Sequence, residues 1–175
     1  MKTIYTPENF EGMRKAGNLA ARVLDMLADH VKPGVTTSKL DALAFDFIEK
    51  NNGLIGPLFY KGFSKSICTS INHVICHGIP SERILENGDI VNIDVTVIVN
   101  EWHGDTSRMF PVGKINNKAQ KLLDCTYDCM MQGIKAVSPK ATLGDIGAAI
   151  QSLAENNNYS VVRDFCGHGL GKVFH

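Results

Sequence analysis

Apolar residues recur every three or four positions in several stretches of the chain, which is the spacing of a helix with one buried face. The first stretch opens at Thr6-Pro7, a capping residue followed by a proline at the first helical position, and ends before Pro33-Gly34. A second begins near Thr36 or Thr37 and stops at Asn51-Asn52-Gly53. The apolar positions of the first stretch are Phe10, Met13, Ala20, Leu24, Leu27 and Val31. Two amphipathic helices are therefore predicted before residue 53.

The same order of signals returns later in the chain. A helical pattern runs from about Asn117 to Ser138-Pro139, and Thr142 starts a further helix. The positions that match between the two regions are Pro33 and Pro139, Thr36 and Thr142, Glu49 and Glu155, Asn51 and Asn157, and Asn52 and Asn158. Either the chain contains an internal repeat, or two capped helices after a proline simply look alike. A real repeat would divide the chain into halves of about 1–112 and about 113 onward, with the second half truncated at its carboxyl end.

Segments rich in β-branched residues lie between the two helix pairs. Strands are predicted at 66–76 and 90–99, separated by the turn Glu86-Asn87-Gly88-Asp89. Ile90–Val99, Asn100-Glu101 and Trp102–Met109 predict a hairpin with a two-residue turn. In that register Asp105 faces Thr96 and lies diagonal to Asp94 on one side of the ladder. The residues predicted for the opposite, core-facing side are Ile93, Val95, Val97 and Val99.

The two hairpin carboxylates predict a metal site. Asp94 and Asp105 would repel each other unless a cation lay between them or one were protonated, and such a pair could bridge two divalent metals. The alternative is a solvated hairpin face. His77 and His168 stand beside glycines, His175 follows closely, and a mixed Asp/His set suits Co, Mn, Fe or Zn. The histidines without such context, interpreted as surface or core-edge residues, are His30, His73 and His103.

Composition narrows the class of protein. The 175 residues, 44% of them hydrophobic, suffice for the core of one domain. Eighteen basic residues balance eighteen acidic ones without a run of like charge, so no DNA or membrane partner is expected. The five cysteines are an odd number and contain no Cys-x-x-Cys pair, which fits reduced thiols in the cytoplasm. We therefore expect a cytoplasmic protein, and we take a monomer as its expected state.

The candidate residues fall within four motifs, which are Cys76–Pro80, Asn87–Val95, His103–Thr106 and Gly167–His175. Together they resemble the short, bacterial or organellar type I methionine aminopeptidases, over essentially the whole chain and as the amino-terminal two-thirds of such a protein. The resemblance implies an α+β pita-bread fold with an internal pseudo-twofold repeat. Residues 1–175 would form a single catalytic domain in which the second half is incomplete.

The resemblance also implies a role for each site residue. Asp94 would bind one divalent metal, Asp105 would bridge two, and His168 would ligate the second. His77 and His175 would contact the substrate as catalytic groups that stabilise the tetrahedral intermediate. The residues implied for the methionine side-chain pocket are Tyr60, Phe63, Cys68 and Phe174, and those whose carbonyls would hold a monovalent cation are Asn72 and Val74.

The implied activity is metal-dependent removal of the initiator methionine from nascent polypeptides with a small second residue, and the ribosome is a candidate partner. The family's two other ligands are glutamates of the carboxyl-terminal third, one of which shuttles the proton, and neither lies in this sequence. Two alternatives stay open. One is a catalytically inactive pita-bread interaction module, which the missing glutamates favour; the other is a creatinase-like or proline-specific peptidase.

Overall fold

The computed structural model describes residues 4–175 and contains both helices and antiparallel strands. In chain order the elements are α1 (Pro7–Ala28), α2 (Thr37–Lys50), β1 (Leu54–Ile55), a 3₁₀ turn (Tyr60–Gly62), β2 (Cys68–Ile71), β3 (Ile90–Val99), β4 (Trp102–Pro111), α3 (Asn117–Ala136) and α4 (Leu143–Asn156). The four predicted helices and the hairpin are confirmed. Within residues 4–175, the longest apolar helical stretches fall short of what a membrane crossing requires.

The chain divides into two compact units. Unit 1 comprises the described residues up to Ile115 together with His168–His175, and unit 2 comprises Asn116–Gly167. The four-stranded sheet belongs to unit 1, and α3 and α4 belong to unit 2. These units are defined by contacts, whereas the two predicted halves, divided at about residue 112, were defined by an internal repeat. The division into repeats therefore stays a prediction.

Strand β3 is the centre of the sheet. It pairs with β4 along its whole length on one edge and with β2 and β1 on the other, always antiparallel. Thr96 pairs with Asp105, as the register predicted from the two-residue turn requires. Asn100 and Glu101 both adopt positive φ, 48° and 70°, as a two-residue type I′ turn requires. The predicted core-facing side is confirmed as well, because Val95 and its neighbours Ile93 and Val97 are fully buried.

Helices α1 and α2 contribute their apolar faces to the core of unit 1, but the first turns of α1 differ from the prediction. Phe10 was expected in the core and is 45% exposed. A Cβ at Gly12 would overlap the Trp102 ring, so α1 approaches β4 with its Gly12 side. Phe10 lies about 200° around the helix from Gly12 and therefore points away. The residues of α1 that are buried are Ala16, Leu19, Ala20, Val23, Leu24 and Leu27.

The strand predicted over residues 66–76 is shorter than expected. Strand β2 ends at Ile71, because the chain turns at Asn72, where φ is 52°, and the Val74 N–H donates to the Ile71 carbonyl at 3.0 Å. The Asn72 side chain accepts from the Ile90 N–H at 3.0 Å and donates to Asp89 at 2.8 Å. A single asparagine thus ties the end of β2 to the start of β3.

Unit 2 is a pair of packed helices. Helix α3 begins at the cap Asn116, whose side chain accepts from the Ala119 N–H at 2.9 Å. Within the unit, a Cβ at Gly133 on α3 would press against Ile146 and Ile150 of α4, so the two helices approach each other closely there. The chain's cysteines, Cys129 on α3 among them, are free thiols, as the sequence predicts.

Candidate metal centre

Strands β3 and β4 bring two carboxylates together. Asp94 on β3 pairs with Ser107, and Asp105 on β4 pairs with Thr96, so the two acids are diagonal neighbours on one side of the ladder. Each is half-buried, and Cys68 of β2 pairs with Asp94 from the other edge of β3. The alternation that turns the valines into the core therefore turns both acids toward the opposite side.

The carboxylate pair is electrostatically costly. Burial, then the negative charge of Asp105 and a hydrogen bond with it, raise the pKa of Asp94 to about 7, whereas His168 lowers it. At neutral pH a fraction of Asp94 therefore keeps its proton. The pair then carries fewer than two negative charges. A divalent cation placed between such carboxylates offsets their repulsion, so this donor pair fits a metal ion.

His168 joins the carboxylates from the segment that returns to unit 1. Its Nε2 lies 3.4 Å from Oδ2 of Asp105, and its Nδ1 lies 3.1 Å from the Gly169 carbonyl. Asp105 thus contacts both of the other candidate ligands, Asp94 and His168. No group of three or more His, Cys, Asp and Glu side chains in residues 4–175 is arranged so that all could hold one metal ion. The assignment of these three residues as ligands stays a prediction.

His175 lies directly beside His168. Their rings are 4.5 Å apart in an edge-on arrangement, and Nδ1 of His175 lies 3.1 Å from the Tyr60 hydroxyl. Desolvation by its neighbours, followed by the charge of His168, lowers the pKa of His175. The neutral imidazole that this favours can both donate and accept hydrogen bonds.

A cavity of about 540 Å³ opens beside the carboxylates, and the sequence-predicted pocket residues line it. The rings of Tyr60 and Phe174 stack at 4.6 Å and form one wall. Burial and the nearby Asp94 raise the pKa of the Cys68 thiol to about 12, so this wall residue is neutral. The predicted site residues around this cavity are Tyr60, Phe63, Cys68, His77, Asp94, Asp105, His168, Phe174 and His175.

His77 reaches the cavity from a strained bend. Its φ is 56°, and a Cβ at the following Gly78 would overlap the Thr69 carbonyl. The Thr69 N–H donates to the Gly78 carbonyl at 2.7 Å, and the Gly78 N–H donates to Ser70 Oγ at 3.1 Å. Glycine is needed at position 78 because the backbone of this bend packs directly against the backbone of β2.

The monovalent-cation residues lie apart from this cavity. Asn72 and Val74 line a second hollow of about 280 Å³, together with His73. Their proposed role as carbonyl ligands is not tested by any contact there and stays a prediction.

Some cavity residues escaped the sequence analysis. Strand alternation places Thr96 on the face of Asp94 but gives it no role, whereas Pro57, Lys61 and Ile79 come from short or irregular segments that carry no periodic signal. His103, interpreted as a surface or core-edge histidine, is 8% exposed and bonds to the Gly171 carbonyl. Its partner is distant in the sequence, so no local pattern reveals this contact.

Paired acids, histidines and a cavity with aromatic walls thus meet in one place. The family profile described as Metallopeptidase family M24 matches residues 11–175. The chain belongs to metallopeptidase family M24, and membership implies the use of a divalent metal.

One curated protein and one crystal structure are similar to nearly the whole of this chain. A methionine aminopeptidase of Rickettsia prowazekii is 61% identical over 172 residues, which are 98% of this chain and 66% of that protein. The chain therefore spans slightly less than two thirds of that curated relative. The crystal structure of methionine aminopeptidase from Rickettsia prowazekii, at 60% identity, superposes with a TM-score of 0.99 over 100% of this chain and 71% of that one.

A more distant structure defines the fold alone. The prolidase from Pyrococcus furiosus, at 21% identity, superposes with a TM-score of 0.82 over 98% of this chain and 50% of that chain. The fold is the pita-bread fold that these metallopeptidases share, as the sequence motifs imply.

Proposed function

We propose that this chain carries the metal-binding and methionine-binding side of a metal-dependent methionine aminopeptidase. The observation that carries the proposal is the meeting, around one cavity, of the acids Asp94 and Asp105 with an aromatic slot. The substrate would be a polypeptide with a free amino-terminal methionine. The name of the Rickettsia relative, at 61% identity, supports the choice of methionine.

Asp94, Asp105 and His168 would hold the metal. When bound, divalent ions supply Lewis-acid polarisation of the peptide carbonyl and activation of a water molecule. Two ions chosen from Co, Mn, Fe and Zn suit this mixture of oxygen and imidazole donors. The two further glutamate ligands implied by the resemblance would come from residues outside this sequence.

The side chains of the cavity would bind and orient the substrate. The stacked rings of Tyr60 and Phe174, with Phe63 and the neutral thiol of Cys68, form an apolar slot in which a flexible thioether packs well. His175, whose Nδ1 lies 3.1 Å from the Tyr60 hydroxyl, stands where it could hydrogen-bond the scissile amide. His77, which also lines the cavity, would stabilise charge that develops on the carbonyl oxygen.

The setting of the reaction is also a proposal. Nascent chains, met at the ribosome or after release, would supply the substrate. The free thiols suit the reducing cytoplasm, and we expect a monomer without DNA or membrane partners.

Two other functions are weaker. An inactive interaction module would have no physical need to keep two half-buried acids in contact, since the pair is costly without a cation. A proline-specific peptidase shares the fold, but the prolidase from Pyrococcus furiosus is only 21% identical.

A substrate panel tests the proposal on the protein at its full encoded length. Met-Ala-Ser, Leu-Ala-Ser and Ala-Pro-Ser would be offered with added Mn²⁺, and kcat/KM would be measured for each. We expect release of methionine from Met-Ala-Ser and a loss of about 100-fold or more for the other two. Cleavage only of Ala-Pro-Ser would establish the proline-specific alternative, and cleavage of none would favour the inactive module.

A further inference from the structure

The segment His168–His175 contributes three residues to the site although it has no regular secondary structure. His168 meets Asp105, Phe174 stacks on Tyr60, and His175 lies beside both. An irregular segment holds such positions only if specific contacts fix it, because ordering free backbone costs conformational entropy. Gly171 makes two of these contacts.

Gly171 attaches the segment to strand β4. Its carbonyl accepts from the backbone N–H of His103 at 2.9 Å, and the ring Nδ1 of His103 lies 3.1 Å from the same oxygen. A Cβ at this position would overlap the Tyr5 hydroxyl, so the tyrosine side chain packs directly against the Gly171 backbone. Lys172 adds an exposed ion pair with Glu101 at 2.9 Å, a contact that contributes little in water.

His103 lies between the metal-site residues and the aromatic wall of the cavity. It lies on β4 two residues before Asp105, on the same side of the ladder, and only 8% of it is exposed. Its ring is 5.7 Å from that of Phe174. The carbonyl that it holds stands three residues after His168 and three before Phe174.

We propose that His103 is a positioning residue for this site, which through the Gly171 carbonyl sets both the approach of His168 to Asp105 and the wall formed by Phe174. A carbonyl oxygen only accepts, so Nδ1 must carry the proton and the imidazole must be the Nδ1–H tautomer or doubly protonated. The inference rests on the proposed function only for what His168 and Phe174 bind.

The variants that test this are His103→Leu and His103→Asn in the protein at its full encoded length. Leucine fills a similar volume without a donor, whereas the asparagine amide nitrogen occupies nearly the place of Nδ1 and can donate to the carbonyl. His30→Leu, a partly buried histidine at the end of α1, is the matched control. The backbone bond from residue 103 survives in every variant.

Mn²⁺ affinity by calorimetry is the primary readout. Groups that orient a ligand typically change metal affinity by about 10–100-fold, so His103→Leu should raise the apparent Kd about tenfold or more. His103→Asn should return it to within about threefold of wild type, and His30→Leu should leave it unchanged. An unchanged Kd in His103→Leu, or a His103→Asn variant as weak as His103→Leu, would overturn the proposal.

Two further readouts separate the possible failures. The tautomer of His103, read from ¹⁵N chemical shifts of the unsubstituted protein, must show a protonated Nδ1, and an unprotonated Nδ1 refutes the contact even if His103→Leu fails to fold. KM for Met-Ala-Ser should rise in His103→Leu because the Phe174 wall loosens. If the unsubstituted protein binds Mn²⁺ but cleaves no peptide, the proposed aminopeptidase function fails, while the affinity series still decides the role of His103.

Discussion

Helices α2 and α4 stand at equivalent places in the two regions that the sequence matches, and their local structure is the same. Both are 14 residues long. Thr36 caps α2 by accepting from the Lys39 N–H at 3.1 Å, and Thr142 caps α4 by accepting from the Asp145 N–H at 3.3 Å. The two helices therefore begin alike, as either an internal repeat or two similarly capped helices would, and the repeat stays a prediction.

The two helices also end alike. Asn51 and Asn157 each donate from the side-chain amide to the carbonyl four residues earlier, at 2.8 and 2.9 Å. The next residues, Asn52 and Asn158, adopt positive φ of 57° and 62°. Asparagine tolerates this left-handed conformation better than other residues with a side chain. Capping chemistry thus defines both helices from end to end.

Burial is where the helices differ. Leu40 of α2 is fully buried in the core of unit 1, whereas the matching Ile146 of α4 is only partly buried, and Ala154 is the one residue of α4 that is buried. The comparison teaches that caps set where a helix begins and ends, while its tertiary partners set what it contributes to stability. The site residues likewise all belong to unit 1.

The largest expected difference between the units is chemical. Asp105→Asn in unit 1 should lose Mn²⁺ binding and methionine release together, by more than the 10–100-fold typical of groups that only orient a ligand. Asp145→Asn in unit 2 removes an equivalent charge from an exposed cap and should leave both unchanged. Calorimetry and peptide hydrolysis measure the pair, and activity retained in Asp105→Asn would remove Asp105 from the ligand set.

A second prediction concerns the two helix faces. Leu40→Ala should lower the free energy of unfolding by about 3 kcal/mol, because a fully buried leucine leaves a cavity. Ile146→Ala should cost about 1 kcal/mol, because part of that side chain already meets water. Urea denaturation of the 175-residue chain, followed by amide exchange in each helix, gives both values. Equal costs would show that burial does not separate the helices.

Removing the cap of either helix should cost the same stability, unlike removing an apolar side chain from its buried face. Thr36→Ala and Thr142→Ala should each destabilise their own helix by about 1 kcal/mol, since each removes one side-chain acceptor from the first turn. Hydrogen exchange of the first-turn amides of α2 and α4 measures the two effects separately. A cost in one helix only would mean that the match between the regions is superficial.

The smallest expected effect is a pH dependence confined to α4. Hydrogen bonds from the backbone and then the side chain of Thr142 lower the pKa of Asp145. Because the folded-state pKa is the lower one, this stabilisation is complete above the unfolded pKa of about 3.9 and is lost as pH falls through the folded value. Protection of the α4 first-turn amides should fall over that window, and Asp145→Asn should abolish the change. A pH dependence that survives in Asp145→Asn would assign it to another group.

Local signals account for what the sequence predicted well. Caps, prolines and a two-residue turn fixed the helix ends and the pairing of Thr96 with Asp105, since all of these depend on residues near one another in the chain. The misses depend on distant partners. Phe10 is exposed because Gly12 meets Trp102, and His103 is buried because Gly171 returns to it. The early end of β2 at Ile71 depends on the link from Asn72 to β3.

The most direct test of the account is the metal dependence of methionine release. The protein at its full encoded length would be stripped of metal with a chelator and titrated with Mn²⁺ while the release of methionine from Met-Ala-Ser is followed. We predict no release from the stripped protein and a saturable rise as Mn²⁺ binds, lost in Asp105→Asn. Release that is independent of added metal, or none at any Mn²⁺ concentration despite tight binding, would contradict the proposed function.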